Sequence, residues 1–516
     1  MKRINFLLAL LAVLLMASCS SADEKLRALI PDDAVGVVRI NLPSVLNKAG
    51  IKKGEDNEME LSIPANLMKT IEMANENLVD DVNIFGDVIS NLPESGIDVK
   101  NNCYIFLSPG TYRSVALFHL DDEDKALEMV SKIAGGKMKE MSGIMFVSHL
   151  DYGYAIDDDV LMIGRYTIPV PDDKASAAAK KIIDRSTPSL LEKEEVSKAI
   201  DVKDCDITAY IDAKGLPLVY DNSDLKPLMG EFSPMDLLAG SGIKAMTATV
   251  NFNDSKKGEE KVEIVTDFIC ASNSMYGLIY DKIIATADGG DATEALAAVP
   301  GDFDTYFAVK VNGAGIMNLP GSSMLFDNLN TFPLTNGVNC KGIISSINGA
   351  LVFGMQQFGD MDYNLGVSAQ STAPEMVVNE IVNIANQRGQ APYKNANGEY
   401  VYDDNYSNGD KAIVMSNNGG VVYMRYINYV PTTGADSWPA LAGVLNTSRM
   451  VLFHQVKVNG TPEGCLCWGL RNKTHGEGFY FTLDENENIV QSALKFLCWR
   501  EPSSIEYEDI GLADYY

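Results

Sequence analysis

Histidine and tryptophan are scarce in this 516-residue chain, with four of the first and three of the second. So few imidazoles leave little room for a His-rich metal centre, and no His-Glu-x-x-His spacing occurs. The Gly-x-Ser-x-Gly elbow of serine hydrolases is also missing. Basic residues are outnumbered: 42 Lys and Arg face 70 Asp and Glu, a formal charge of −28. That surface repels phosphates, so nucleic acid is not an expected partner. Cysteine is thin as well. Setting Cys19 aside leaves Cys103, Cys205, Cys270, Cys340, Cys465, Cys467 and Cys498, an odd and scattered set that reads as small buried side chains and not as a disulfide framework. Past the amino terminus no apolar run reaches the 18 residues a spanning helix needs.

What is present fits a folded chain with more than one core: 46% hydrophobic and 22% charged residues. Residues 1–18 carry Lys2 and Arg3, an apolar stretch from Ile4 to Met16 broken by Asn5, then small Ala17 and Ser18. This order predicts a secretory signal too short to span a bilayer. Met16-Ala17-Ser18-Cys19 resembles the lipobox of bacterial lipoproteins, with Met where Leu is usual. The resemblance implies that Cys19 is diacylated and becomes the first residue of a membrane-tethered chain. Residues 19–27, with Ser20, Ser21, Asp23 and Glu24, read as its tether. Cleavage removes two cations and no acid, so the anchor and not surface charge must hold the membrane.

The chain also repeats itself weakly. Ile30-Pro31-Asp32-Asp33-Ala34 leads into an alternating strand, Val35 to Leu42, and Val299-Pro300-Gly301-Asp302-Phe303 leads into Tyr306 to Asn312; Asn41 and Asn312 close the two strands. A hairpin follows in each part, Tyr104–Leu107 with Ser114–His119 and Leu351–Met355 with Tyr363–Ala369. Each hairpin leads to a helix. The first opens at Asp121–Asp124, has a stripe of Ala126, Leu127, Val130, Ile133 and Ala134, and stops at Gly135-Gly136. The second opens at Thr372–Glu375, has a stripe of Val377, Val378, Ile381 and Ala385, and stops at Gly389. Later strands are matched in the same order: Ile144–Val147 with Glu399–Tyr402, Val160–Ile163 with Ala412–Met415, and Ile207–Ile211 with Met450–Val458. A final pair closes each part, Ala245–Phe252 with Lys261–Ile269 and Cys465–Leu470 with Gly478–Leu483. The pattern predicts an α+β fold of two related tandem lobes, each mostly antiparallel sheet with packed helices, over residues 28–287 and 294–516. Thr286–Thr293 is the expected seam.

A lipobox, a short acidic tether and Ile-Pro-x-Asp-Ala before a strand ending Asn-Leu resemble an uncharacterised lipoprotein family of gut-anaerobe Gram-negative bacteria, known only as a domain of unknown function. Its firm part is Ile30 to Leu42. The resemblance implies an outer-membrane lipoprotein on the periplasmic face or the cell surface, and brings no activity, cofactor or catalytic residue.

Candidate chemistry is sparse. Two His-Leu-Asp triplets, His119-Leu120-Asp121 and His149-Leu150-Asp151, flank the first helix; in a strand each His and Asp share a face, so His119, Asp121, His149 and Asp151 are the candidate metal ligands. Ser223-Asp224-Leu225-Lys226 has Ser-x-x-Lys spacing without its partner motifs and reads as a helix start. Cys465 and Cys467 share a strand face and are expected in the core. Gly313-Ala314-Gly315 lacks the third glycine of a dinucleotide loop. The acid runs at Asp121–Asp124, Asp157–Asp159 and Asp484–Glu487, and the loop Asp403–Asp410, read as solvated turns. Trp438, Trp468 and Trp499 read as core or rim anchors, with a sugar platform as the alternative. No cofactor and no catalytic residue is expected. The reading is a non-enzymatic, lipid-anchored binding or assembly scaffold whose partner is an envelope protein or glycan; the alternative is a hydrolase acting on glycan or peptide between the lobes.

Overall fold

The computed structural model describes residues 22–53, 61, 62, 68, 84–185, 188–213, 215, 240–253, 261–288, 291–299, 305–324, 337–357, 363–387, 389, 391–403, 412–427, 438–458, 461–482 and 488–498. It divides into two compact units, the first running to Ile269 and also taking the segment Glu485–Pro502, the second starting at Cys270. Both are α+β and built on antiparallel sheet. The break falls at Ile269/Cys270, so the expected seam Thr286–Thr293 lies within the second unit.

The first described residues of the first unit lie where a tether was expected. Residues 22–28 form a helix, α1, and Leu26, Leu29 and Ile30 are buried in the core. Three apolar side chains at helical spacing outweigh the short acidic pair that suggested a solvated linker. Besides a short two-stranded pair, Lys52–Lys53 with Leu61–Ser62, its strands are β1 (Gly36–Ile40), β2 (Cys103–Leu107), β3 (Tyr112–His119), β4 (Lys139–Met141), β5 (Ile144–His149), β6 (Tyr152–Asp157), β7 (Val160–Tyr166), β8 (Ile207–Asp212), β9 (Ile243–Asn253) and β10 (Lys261–Cys270). The first nine pair, all antiparallel, in the order β9-β8-β1-β2-β3-β7-β6-β5-β4. One sheet face carries Val37, Tyr104, Phe106, Val115, Leu117 and Met162 into a core shared with α1, α5 (Asp172–Ile183) and α6 (Glu194–Ile200). α2 (Leu42–Lys48) follows β1 directly, and α4 (Glu123–Ile133) follows β3; α3 (Ile84–Asn91) precedes β2. α4 starts as expected, with Asp122 accepting a hydrogen bond from the Lys125 amide, and buries Ala126, Met129 and Val130.

The second unit holds α7 (Thr293–Ala297), β11 (Thr305–Asn312), α8 (Gly313–Ile316), α9 (Cys340–Ser346), β12 (Ile347–Gln357), β13 (Tyr363–Ser371), α10 (Pro374–Gln387), β14 (Tyr393–Lys394), β15 (Tyr400–Asp403), β16 (Ala412–Asn418), β17 (Val421–Ile427), α11 (Trp438–Thr447), β18 (Met450–Val458), β19 (Thr461–Leu470) and β20 (His475–Thr482). Nine of these strands pair in the order β19-β18-β11-β12-β13-β17-β16-β15-β14, all antiparallel, with β20 beyond β19. Its main core joins Tyr306, Ala308, Val352, Val451 and Phe453 to α7 and α11; a smaller one joins Val377 and Val378 of α10 to Met415 and Val422. Val160–Ile163 and Ala412–Met415 do not occupy matching places: β7 pairs with the hairpin strand β3, whereas β16 lies one strand farther out, beyond β17.

The last described helix, α12 (Ile489–Cys498), belongs to the first unit and not to the lobe 294–516 in which the sequence reading placed it. Asn488 and Gln491 donate side-chain hydrogen bonds to the carbonyls of Lys48 and Ala49, each at 2.8 Å, and Ile489 and Val490 are fully buried. Among the described residues no helix is long and apolar enough to cross a membrane.

Candidate functional site

The two His-Leu-Asp triplets close β3 and β5 as expected, but at opposite ends of the sheet. His119 pairs with Val160 on β7, whereas His149 pairs with Tyr152, Tyr152 with Arg165 and Arg165 with Ser114. The row of His149 thus meets β3 at Ser114, about 17 Å along the strand from His119, and three strand spacings of about 4.8 Å add to that. His119, Asp121, His149 and Asp151 do not converge. Among the described residues no three His, Cys, Asp or Glu side chains are grouped to hold a metal ion.

Each triplet has local partners instead. His119 Nε2 lies 3.0 Å from Asp159 Oδ2 and its Nδ1 lies 3.4 Å from Asp98 Oδ2. Lys25 of α1 reaches Asp159 from the other side. Burial alone would raise the Asp159 carboxyl, but the Lys25 hydrogen bond and charge, aided by His119, hold it below the usual carboxylate range. Asp121 moves the other way, raised by burial and then by the Asp98 charge. Asp151 has Arg165 at 4.0 Å, and Leu150 between His149 and Asp151 adopts a left-handed turn conformation.

Beside this cluster lies a polar cleft of about 510 Å³, lined by Asp23, Glu24, Arg27, Asn41, Pro43, Lys100, Asn101, Asn102 and Asp201. α1 supplies one wall. Arg27 donates two hydrogen bonds to Asp201 just after α6, 2.5 and 3.1 Å long, the forked geometry that guanidinium and carboxylate share. Burial opposes the Arg27 charge, but the Asp201 hydrogen bond and the neighbouring Tyr104 raise its affinity for the proton. For Asp201, burial is likewise outweighed by hydrogen bonds from Arg27 and from Ser197 Oγ at 2.6 Å. Asp23 accepts from Asn102 Nδ2 and from Tyr104 Oη, each at 2.9 Å. Burial and then the Asp23 charge push the Tyr104 phenol up. Asn101 donates to Asp98 at 2.6 Å, which joins the cleft's loop to the His119 cluster.

The lining has carboxylates, a guanidinium, an ammonium and carboxamides, but no serine, cysteine or histidine. Such a set recognises hydroxyl or amide groups by hydrogen bonding. Sequence reading missed it because its central pair is 174 residues apart. The available signal was the spacing of Leu26, Leu29 and Ile30, which marks α1 as a packed helix and so places Asp23 and Arg27 on a fixed surface.

Other motifs resolve structurally. Cys465 and Cys467 lie in the second unit's core, where burial pushes their thiols up to about 11 and about 12. Cys103, Cys205, Cys340, Cys465 and Cys467 are free thiols. Gly313 and Gly315 open α8, where added β-carbons would stand 1.7 Å from the Ile344 carbonyl oxygen and 2.0 Å from that of Lys282; these glycines serve close backbone packing, not a phosphate. Asp157 pairs with Lys180 at 2.6 Å. Cys19, Ser223–Lys226, Asp484–Glu487 and most of Asp403–Asp410 lie outside the described residues, as do Trp499 and the Trp438 side chain. Trp468 is half-buried on β19.

The sequence matches the family described as a domain of unknown function (DUF4836) over residues 27–378. No curated protein matches it. Among solved structures it is similar to crystal form III of TP0453, with 9% identity over 51% of this chain and 87% of that one and a TM-score of 0.30. Crystal form I of the same protein gives 10% identity over 50% and 84%, with a TM-score of 0.29. A likeness of that size carries no argument about function.

Proposed function

The chain belongs to this family of unknown function, and from that premise we propose that it is a lipid-anchored cell-envelope protein, a non-enzymatic scaffold built from two duplicated units. The observation that carries the duplication is the shared strand order: nine strands pair in the same sequence in both units, and each opening strand ends in an asparagine that caps the next helix. Anchoring is supported by the order of residues 1–19. A lipid on Cys19 would then hold α1, and with it the polar cleft, close to the membrane, since three residues span at most about 10 Å. The cleft suits a partner rich in hydroxyl or amide groups, an envelope glycan or the backbone of an envelope protein. The outer membrane, on its periplasmic face or at the cell surface, is the proposed location.

The test is fractionation of cells carrying Cys19→Ala. The wild type is expected in the membrane fraction and labelled by palmitate, and the variant soluble and unlabelled. Palmitate labelling of the variant, or an unchanged membrane fraction, would overturn the anchor.

A further inference from the structure

Residues directly opposite one another on neighbouring antiparallel strands project to the same side of the sheet. In the second unit the register lays out one continuous row this way. Trp468 faces Leu452, Leu452 faces Phe307, Phe307 faces Phe353, Phe353 faces Val367, and Val367 faces Met424. The alternate residues Tyr306, Val352, Val451 and Phe453 are buried in the main core, so the row lies on the other face, which α10 covers at the far end, where Met415, opposite Met424, is buried beneath it. Phe307 and Leu452 are each 40% exposed, Met424 41% and Phe353 38%. Val367 and Trp468 are half-buried. No charged side chain interrupts the row.

We propose that this row binds a single extended acyl chain of a lipid. Three observations select that occupant. The first is length: five strand spacings of about 4.8 Å carry the row over about 24 Å. One leaflet's acyl chain, half of a hydrocarbon core about 30 Å thick, is about 15 Å and fits within it. The second is area. Four side chains of about 200 Å² each, about two-fifths exposed, offer on the order of 300 Å². A stable protein interface needs about 800 Å² per partner, so a second copy of the chain is under-served by this face. The third is chemistry. The row is aliphatic and aromatic, and a methylene chain can cover it without burying polar groups, whereas a peptide or glycan would lose hydrogen bonds to water and find none replaced. The thioether of Met424 and the flat rings of Phe307 and Phe353 adapt to a flexible chain. This binding is independent of the lipid proposed on Cys19.

The experiment uses the full chain carrying Cys19→Ala, so that no covalent lipid competes, and dansyl-undecanoic acid as the probe. Saturable binding with a blue-shifted emission, reversed by palmitate, is expected. Leu452→Gln and Met424→Gln alter exposed side chains and should keep the circular dichroism spectrum and melting profile; each should weaken the probe by about tenfold, as the loss of one apolar contact predicts. Phe307→Ser with Phe353→Ser should abolish binding. Absence of saturable binding overturns the proposal, and so does unchanged affinity in the folded Leu452→Gln and Met424→Gln variants. A wild-type dimer in sedimentation that becomes monomeric in those variants would also overturn it, by assigning the face to a second copy.

Discussion

Arg27 and Asp201 lie 174 residues apart in sequence and meet through two hydrogen bonds of 2.5 and 3.1 Å. The pair fastens the chain's first described helix to the end of α6 and closes one wall of the polar cleft. Arg27→Ala is expected to cost about 1 kcal/mol, because the pair is only partly shielded from solvent. Arg27→Lys should recover less than half of that, since an ammonium cannot fork onto a carboxylate. Hydrogen–deuterium exchange in residues 24–28 reads both effects; unchanged protection in Arg27→Ala would refute the fastening role.

Asn41 and Asn312 close β1 and β11 and cap the helices that follow, accepting hydrogen bonds from the amides of Ser44 at 3.2 Å and Gly315 at 3.3 Å. Replacing either with alanine should destabilise its own unit by about 1 kcal/mol, and aspartate should restore most of it. Urea denaturation with a probe in each unit is the check. Equal loss from Asn41→Leu and Asn41→Asp would show that capping is not the role.

Gly313→Ala should be among the most damaging small changes in the second unit, costing more than about 3 kcal/mol, because the new carbon meets a backbone oxygen. Gly136→Ala, with nothing within 4 Å of the added carbon, should shift stability by no more than about 0.5 kcal/mol. Thermal melts of the two variants beside the wild type make the comparison.

The Lys25–Asp159–His119 chain sets a pH dependence. Asp159 is held below the usual carboxylate range in the folded state. Its contribution is therefore present above the unfolded carboxylate value, about 3.9, and is lost as pH falls through the lower folded value. Asp159→Asn should be less stable than the wild type at pH 7, and the gap should narrow toward pH 3. A gap that widens on acidification would contradict the assignment.

Much of the frame was legible in the chain itself. Alternation marked β1, β11 and the hairpin strands, because a half-buried antiparallel strand must alternate its faces. The acidic openings and glycine stops marked α4 and α10, because helix ends need caps and a left-handed exit. Cys465 and Cys467 could be placed in the core from the period of two alone. The asparagines closing two distant strands also stood out, although the capping that explains them had to be seen.

Periodicity determines which face of its own strand or helix a residue occupies, and composition determines the acidic surface and the scarcity of imidazole; both depend only on local geometry and counting. Tertiary structure decided everything that joins one element to another. His119 and His149 each end a strand, but which end of the sheet they reach depends on the pairing order, and that order sends them apart. Residues 22–27 look like part of a solvated tether until Leu26 has a core to enter. Arg27 finds Asp201, and Leu452, Phe307 and Phe353 find one another, through strand and helix placements that no local pattern encodes, because the free energy of such non-local contacts is realised only when each unit has folded.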